Sequence, residues 1–242
     1  MKLSRALKAI DWGINPIDQV THGLPESDLS VIETPDYHTG MMVLGHYLHA
    51  GLQKGETCAL ISFDTADTFL SNFLLWNVDF EKFLLDEKMF LLNYRPNFSF
   101  EVGLTYQYDP IFTEMARLCG GKMPNRVAIQ QVDTLINLNN LTLMNNSAQK
   151  LALAVLSKQM EGTSVLGQYV QFGDTVHRNL SIAFQKTLPA CFSLSEVSGG
   201  NHQFEFRTLK LPWYGYSRTP LLLQMKEGTG FSFVEQDHEQ AA

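Results

Sequence analysis

Apolar runs alternate with amphipathic stretches along most of this chain. Ser30-Val31-Ile32 reads as a short buried strand. Met42 to Gln53 follows as a helix, with Val43, Leu44, Tyr47 and Leu48 on one face. Lys54-Gly55-Glu56 stops it. Thr57 to Phe63 is a continuous apolar run of the kind found in parallel sheets covered on both faces. Ala66 to Trp76 returns to helix, with Phe69, Phe73 and Leu74 as its core face. Phe80 to Asp86 predicts a short helix and Met89 to Tyr94 a strand. Asp109 to Cys119 predicts a helix ended by Gly120-Gly121. Arg126 to Ile129 reads as a strand, Ser147 as the cap of a helix running to about Met160, and Thr163 to Gln171 as another strand.

This alternation predicts βαβ crossovers, and so an α/β fold with a twisted, mostly parallel sheet flanked by helices. From Ala190 onward the pattern changes to short strands and turns, at Ala190 to Leu194, Gln203 to Leu211, Leu221 to Met225 and Phe231 to Val234. Lys226-Glu227-Gly228-Thr229-Gly230 reads as a hairpin loop, so the core should end in an antiparallel extension. No repeat or linker divides residues 1–234, which read as one domain. Met1 to Trp12, with Lys2, Arg5 and Lys8 among scattered apolar residues, reads as a short amphipathic helix and not a signal peptide. Residues 235–242 are polar and acidic and are expected to fray.

Composition narrows the partners. The 242 residues are 45% hydrophobic and 18% charged, an ordinary globular balance for one large domain. The net charge is -7, from 25 acidic and 18 basic residues, with no Lys/Arg cluster to form a phosphate-binding stripe. That argues against nucleic acid as a direct partner. Cys58, Cys119 and Cys191 lie far apart, which argues against a disulfide framework or zinc site and for a reducing compartment. No run approaches the roughly 18 apolar residues of a membrane span, so the expected location is the cytoplasm.

The motifs resemble the KaiC-like branch of the RecA ATPase superfamily, from about Asp11 to Val234. Trp12-Gly13-Ile14-Asn15-Pro16-Ile17-Asp18 resembles the family's "G-I-x-x-L-D", and Gly23-Leu24-Pro25-Glu26 its "G-G-L-P-x-G". Gly51-Leu52-Gln53-Lys54-Gly55-Glu56 resembles "G-x-x-x-G-E", and Ile61-Ser62-Phe63-Asp64 resembles "S-F-E-E". Leu75-Trp76-Asn77-Val78-Asp79-Phe80 resembles the "W-G-x-D" turn. The resemblance implies a RecA-like P-loop NTPase fold, and many members of the family assemble as hexameric rings.

Thr34 to Met42 occupies the place of the phosphate-binding loop without its chemistry. Such a loop wraps phosphates with backbone N–H groups, and its Lys and Ser/Thr serve phosphate and Mg²⁺. Here Pro35, which has no N–H, takes the first glycine position, and His38 takes the inner one. Gly40 is kept, while Met41 and Met42 stand at the Lys and Ser/Thr positions. Charge-assisted hydrogen bonds contribute about 1.5–3 kcal/mol each. Losing two costs about 3–6 kcal/mol, or roughly 10²–10⁴ in affinity. The metal-orienting Asp position falls on Gln130, after the Arg126 strand. A rival register uses Asp133, but it buries Gln130 and Gln131 in the strand and shifts the pattern by an odd number of residues. The catalytic-acid position falls on Asp64, which also suits a helix cap.

Other constellations are weaker. His46 and His49 share a helix face, yet zinc needs further ligands. His38 suits a turn better than an anion contact. Asn137, Asn139, Asn140, Asn145 and Asn146 form a polar loop with no Lys or Arg between Asp133 and Gln149, open to protein contact. Phe98, Phe100, Tyr106, Tyr108 and Phe112, and the segment Trp213-Tyr214-Gly215-Tyr216, read as packing residues with an interface as the sharper alternative. The resulting expectation is a regulatory or scaffold domain, in signal transduction, that does not hydrolyse ATP and needs no cofactor. Its partner would be itself, as a homo-oligomer up to a hexamer, or an active RecA/KaiC-like relative. The alternative is a binder of ATP/Mg²⁺, ADP, a cyclic nucleotide or another anion with altered pocket chemistry.

Overall fold

The structure is a computed structural model that describes residues 8–62, 64–74, 78–93, 109–157, 163–200, 202–213, 215–226 and 230–233. In chain order, its parallel strands are β3 (Leu29–Thr34), β4 (Cys58–Ser62), β5 (Met89–Asn93), β6 (Arg126–Ile129), β7 (Ser164–Val170) and β8 (Ala190–Glu196). They lie in the order β8-β3-β7-β6-β4-β5. Beyond β8 the sheet continues antiparallel through β9 (Gln203–Lys210), β10 (Leu221–Lys226) and β11 (Gly230–Phe233). This is the expected α/β architecture with an antiparallel C-terminal extension, but the extension begins only at β9: the Ala190 strand, expected as its first member, pairs parallel with β3 and belongs to the core. A separate small ribbon pairs β1 (Ala9–Ile10) with β2 (Leu24–Pro25).

The helices are α1 (Asn15–Thr21), α2 (Tyr37–Gln53), α3 (Ala66–Leu74), α4 (Glu81–Leu85), α5 (Asp109–Leu118), α6 (Leu141–Ser157) and α7 (Thr175–Thr187), with one 3-10 turn at Val132–Leu135. Because side chains alternate across a strand, the central strands feed two cores. Ile32, Leu60, Ala128 and Leu166 pack with Met41, Met42, Val43, Leu44, Tyr47 and Leu48 of α2. On the other face, Val31, Ile61, Ile129 and Val165 pack with Leu151 and Val155 of α6 and Leu180 and Phe184 of α7. Among the described residues, no helix is long and apolar enough to cross a membrane.

Four further expectations need correction. The helix expected to start at Met42 starts at Tyr37, five residues earlier, because Asp36 caps it. Of the expected N-terminal helix, residues 1–7 lie outside the described set, and Ala9–Ile10 is a strand because its backbone finds partners in Leu24–Pro25. Ser147 does not cap α6. The Asn140 side chain does, accepting from the Leu143 N–H at 3.0 Å, while the Ser147 hydroxyl bonds back to the Leu143 carbonyl inside the helix. Helix α7 was not expected. Its buried stripe is only Leu180, Ala183 and Phe184, but Asp174 caps it through the His177 N–H at 2.8 Å. Trp76, Phe98, Phe100, Tyr106, Tyr108, Tyr214, residues 227–229 and the tail at 235–242 lie outside the described residues.

A buried charge cluster holds α2 to the amino-terminal end of the sheet. Arg126, the fully buried first residue of β6, donates to Glu56 at 2.6 Å and to the Asp11 carboxylate at 2.7 Å. It also donates to the carbonyls of Asp11 (2.6 Å) and Tyr47 (2.9 Å), and its guanidinium lies 5.1 Å from the Tyr47 ring centre. Lys54 reaches the same Asp11 oxygen at 2.6 Å, but from a half-exposed position. Removing one partner of a buried pair strands the other charges, whereas an exposed pair is screened by water. Arg126→Met should therefore lower stability by about 3–5 kcal/mol, and Lys54→Met by less than about 1 kcal/mol, read by urea unfolding.

His46 of α2 lies under β11, with Gly230 against its Nε2 atom and the Phe231 ring 6.2 Å away. Burial, with a smaller contribution from the neighbouring His49, pulls its pKa down to about 4. The folded value is below the unfolded one, so the unfolded chain takes up this proton first. Stability is then lost as the pH falls from about 6.5 toward 4. His46→Gln should flatten the melting temperature over that window relative to the parent protein, and an unchanged pH slope would contradict the assignment.

Candidate functional site

The carboxyl ends of β3, β4, β6 and β7 meet the first turn of α2. In open α/β sheets this is where ligands ordinarily bind. Only Pro35 and Asp36 separate β3 from α2. The extended backbone of Asp36 lets its carboxylate accept from the Thr39 N–H at 2.8 Å and the Thr39 hydroxyl at 2.6 Å. The Gly40 N–H bonds to the Asp36 carbonyl at 3.2 Å. The positions expected to form a phosphate-binding loop are thus helical from Tyr37 onward, and a carboxylate of the chain sits at the positive end of the helix dipole. Pro35 is half-buried and His38 is exposed on the first turn. Met41 and Met42 are each 2% exposed and belong to the core under α2.

A row of polar side chains crosses the sheet beneath that turn. Ile61 pairs with Ile129, and Ile129 with Gly167, so the next residues along, Ser62, Gln130 and Gln168, fall at one level on the α2 side. All three are buried, as is Thr34 at the end of β3. Buried polar groups are costly unless hydrogen-bonded, and these are. The Ser62 hydroxyl donates to Gln130 Oε1, and Gln130 Nε2 donates to Asp64 Oδ2 at 2.8 Å. Gln168 Nε2 donates to the Thr34 hydroxyl at 2.9 Å, while Gln168 Oε1 accepts from the Gln131 N–H at 3.3 Å.

Asp64 closes one end of this row. Its carboxylate accepts from the Tyr37 hydroxyl as well as from Gln130. Its N–H donates to Ser62 Oγ at 2.9 Å, and its carbonyl accepts from Asn93 Nδ2 at 2.7 Å. Burial raises its pKa. Asp64 is not the cap of α3. Thr65 is, its hydroxyl accepting from the Thr68 N–H at 3.3 Å. Asp133 lies apart, in the 3-10 turn. Burial raises its pKa too, and one of its carboxylate oxygens is buried without a described partner. The fold therefore gathers Asp64 and Gln130 with Ser62, Tyr37 and Asn93, and leaves Asp133 outside. Sequence patterning assigns no partner to Thr34 or Tyr37 within the Thr34 to Met42 segment and does not single out Gln168, whose signal is a polar residue inside a fully buried parallel strand.

A cavity of about 10 Å³, bounded by Met42, Gly45, His46, Phe73 and Val78, is the size of one water at most. Small-molecule pockets run to about 300–1,000 Å³. A hollow of about 340 Å³ does occur, but between Asn137 and Leu153 on the outer side of α6, away from the row. His49 pairs with Gln53 at 2.9 Å, and among the described residues no three His, Cys, Asp or Glu side chains converge as a metal site. Trp213 is anchored through its indole N–H to the Thr21 carbonyl at 2.9 Å, and Phe112 is buried.

No known family profile matches this chain, and no curated protein does. A crystal structure of a KaiC-like protein from the hyperthermophilic archaeon Pyrococcus horikoshii is similar over 94% of this chain and 99% of that one, with a TM-score of 0.73 and 12% identity. At that identity the likeness speaks to fold, and together with the strand order it shows that this chain has the KaiC-like RecA fold.

Proposed function

We propose that this protein is a RecA/KaiC-like domain that no longer hydrolyses ATP and acts through protein contacts. One observation carries the reading: the segment that would wrap a nucleotide's phosphates is the first turn of α2, capped by the chain's own Asp36. The positions for phosphate and Mg²⁺ contacts are filled by Met41 and Met42, which belong to the core. Gln130 has no carboxylate to orient a metal, and its amide is engaged by Ser62 and Asp64. Each change removes a different element of P-loop catalysis.

The contacts would be regulatory or structural, in a signalling role, with either further copies of this chain or an active relative of the same fold. The acidic net charge and the uncharged 134–148 segment favour a protein over nucleic acid. The three cysteines are free, and two of them are buried, which fits a reducing cytoplasm.

A ligand that binds only the folded state raises its melting temperature by mass action. Titration with Mg-ATP, ADP and cyclic nucleotides to about 1 mM should leave the melting temperature within roughly 1 °C of the unliganded value. Stabilisation of several degrees that disappears in Asp64→Ala would overturn the inactive-site reading and favour an altered nucleotide binder. Light scattering, alone and after mixing with an active RecA/KaiC-like protein, should give a mass above that of one 27.3 kDa chain in at least one condition. A monomer in both would count against a scaffold.

A further inference from the structure

We infer that Gln168 is a built-in occupant of the site: a positioning residue whose side chain fills the space above Gly40 and ties the ends of β3 and β6 together across β7. Three observations meet at this side chain. First, it is fully buried, although it is a glutamine in the middle strand of the parallel sheet, where apolar residues are the rule. Second, both ends of its carboxamide are used, one by the Thr34 hydroxyl and the other by the Gln131 N–H. Third, an ideal Cβ at Gly40 would lie 2.5 Å from the Gln168 carboxamide carbon, so α2 approaches the amide as closely as a glycine permits.

This contact explains why a glycine stands at position 40. The residue is helical, inside a helix and without a positive φ, so no turn requires it. A glycine inside a helix costs stability relative to alanine, and this one offsets that cost by admitting the amide. The second tie reaches a strained position. Gln131 has φ 50°, the left-handed region that non-glycine residues seldom adopt, and its N–H is held by Gln168. Loss of the Gln168 amide removes one restraint on that conformation while also releasing Thr34. The Thr34 hydroxyl is in turn within reach of the Asp36 carbonyl at 3.1 Å, next to the cap of α2. A single side chain thus links the start of α2 with the turn that follows β6.

The inference deepens the proposed function, because it names what occupies the site in place of a ligand. Its geometric claim is tested without nucleotide, so its failure is distinguishable from a positive ATP titration. A double-mutant cycle separates the contact from its surroundings. Gly40→Ala should lower the folding equilibrium constant by roughly tenfold or more, through overpacking against the amide. In a Gln168→Ala background, where that amide is gone, the same change should be neutral or stabilising, since alanine is the better helix former. Loss or reversal of the penalty is the expected result, and equal effects in both backgrounds would overturn the contact.

Gln168→Leu distinguishes filling from tying, since leucine keeps much of the bulk and has no hydrogen bonds. Hydrogen exchange should quicken by about tenfold in both 37–42 and 131–136, with β9 and β10 little changed. Gln168→Glu, which keeps an acceptor for Gln131, should restore protection at 131–136. Faster exchange spread evenly over the sheet, or confined to one of the two segments, would show that Gln168 only packs.

Discussion

The guanidinium of Arg126 is the constraint on which the placement of the rest depends. It is fully buried, and the fold surrounds it with two carboxylates and two carbonyls drawn from the chain before α1, from α2 and from the turn after α2. A charge removed from water must recover that loss through close partners, so these segments have little freedom in where they lie. Gly51 belongs to the same arrangement, since a side chain there would strike Arg126. With its carboxyl-terminal half fixed by this cluster, α2 presents its other end over the carboxyl edge of the sheet. The two ends of one helix are therefore held differently: one is pinned by a buried ion cluster, and the other is capped by Asp36.

The amino-terminal end of α2 follows the rule that buried polar groups are either paired or expensive. Ser62, Gln130 and Asp64 bond to one another, and so do Thr34 and Gln168, whose carboxamide oxygen accepts from the Gln131 N–H. Asp36 does the same for the helix terminus. The thioether side chains of Met41 and Met42 extend the apolar core beneath the first turn of α2.

The parallel strands were legible because a strand buried on both faces carries a continuous apolar run, as in Cys58 to Ile61 and Val127 to Ile129. Helix α7 was not, since three buried residues in thirteen make a faint stripe. The start of α6 hid among asparagines that resemble a loop, one of which is its cap. The start of α2 shows a different failure. Asp36 carries a helix-start signal in its own side chain, which caps the helix through the Thr39 N–H, five residues before the first apolar run of α2 makes the helix visible as a pattern.

The sequence by itself determined the class of fold, because hydrophobic periodicity is a property of the chain alone. Only the tertiary structure decided that Tyr37 to Met42 is helix, that Thr65 and not Asp64 caps α3, and that Gln130 and Gln168 share one level of the sheet. The reason is physical. Strand register brings together residues 38 positions apart, and a polar side chain acquires its role from the partners it meets there, which no local spacing encodes.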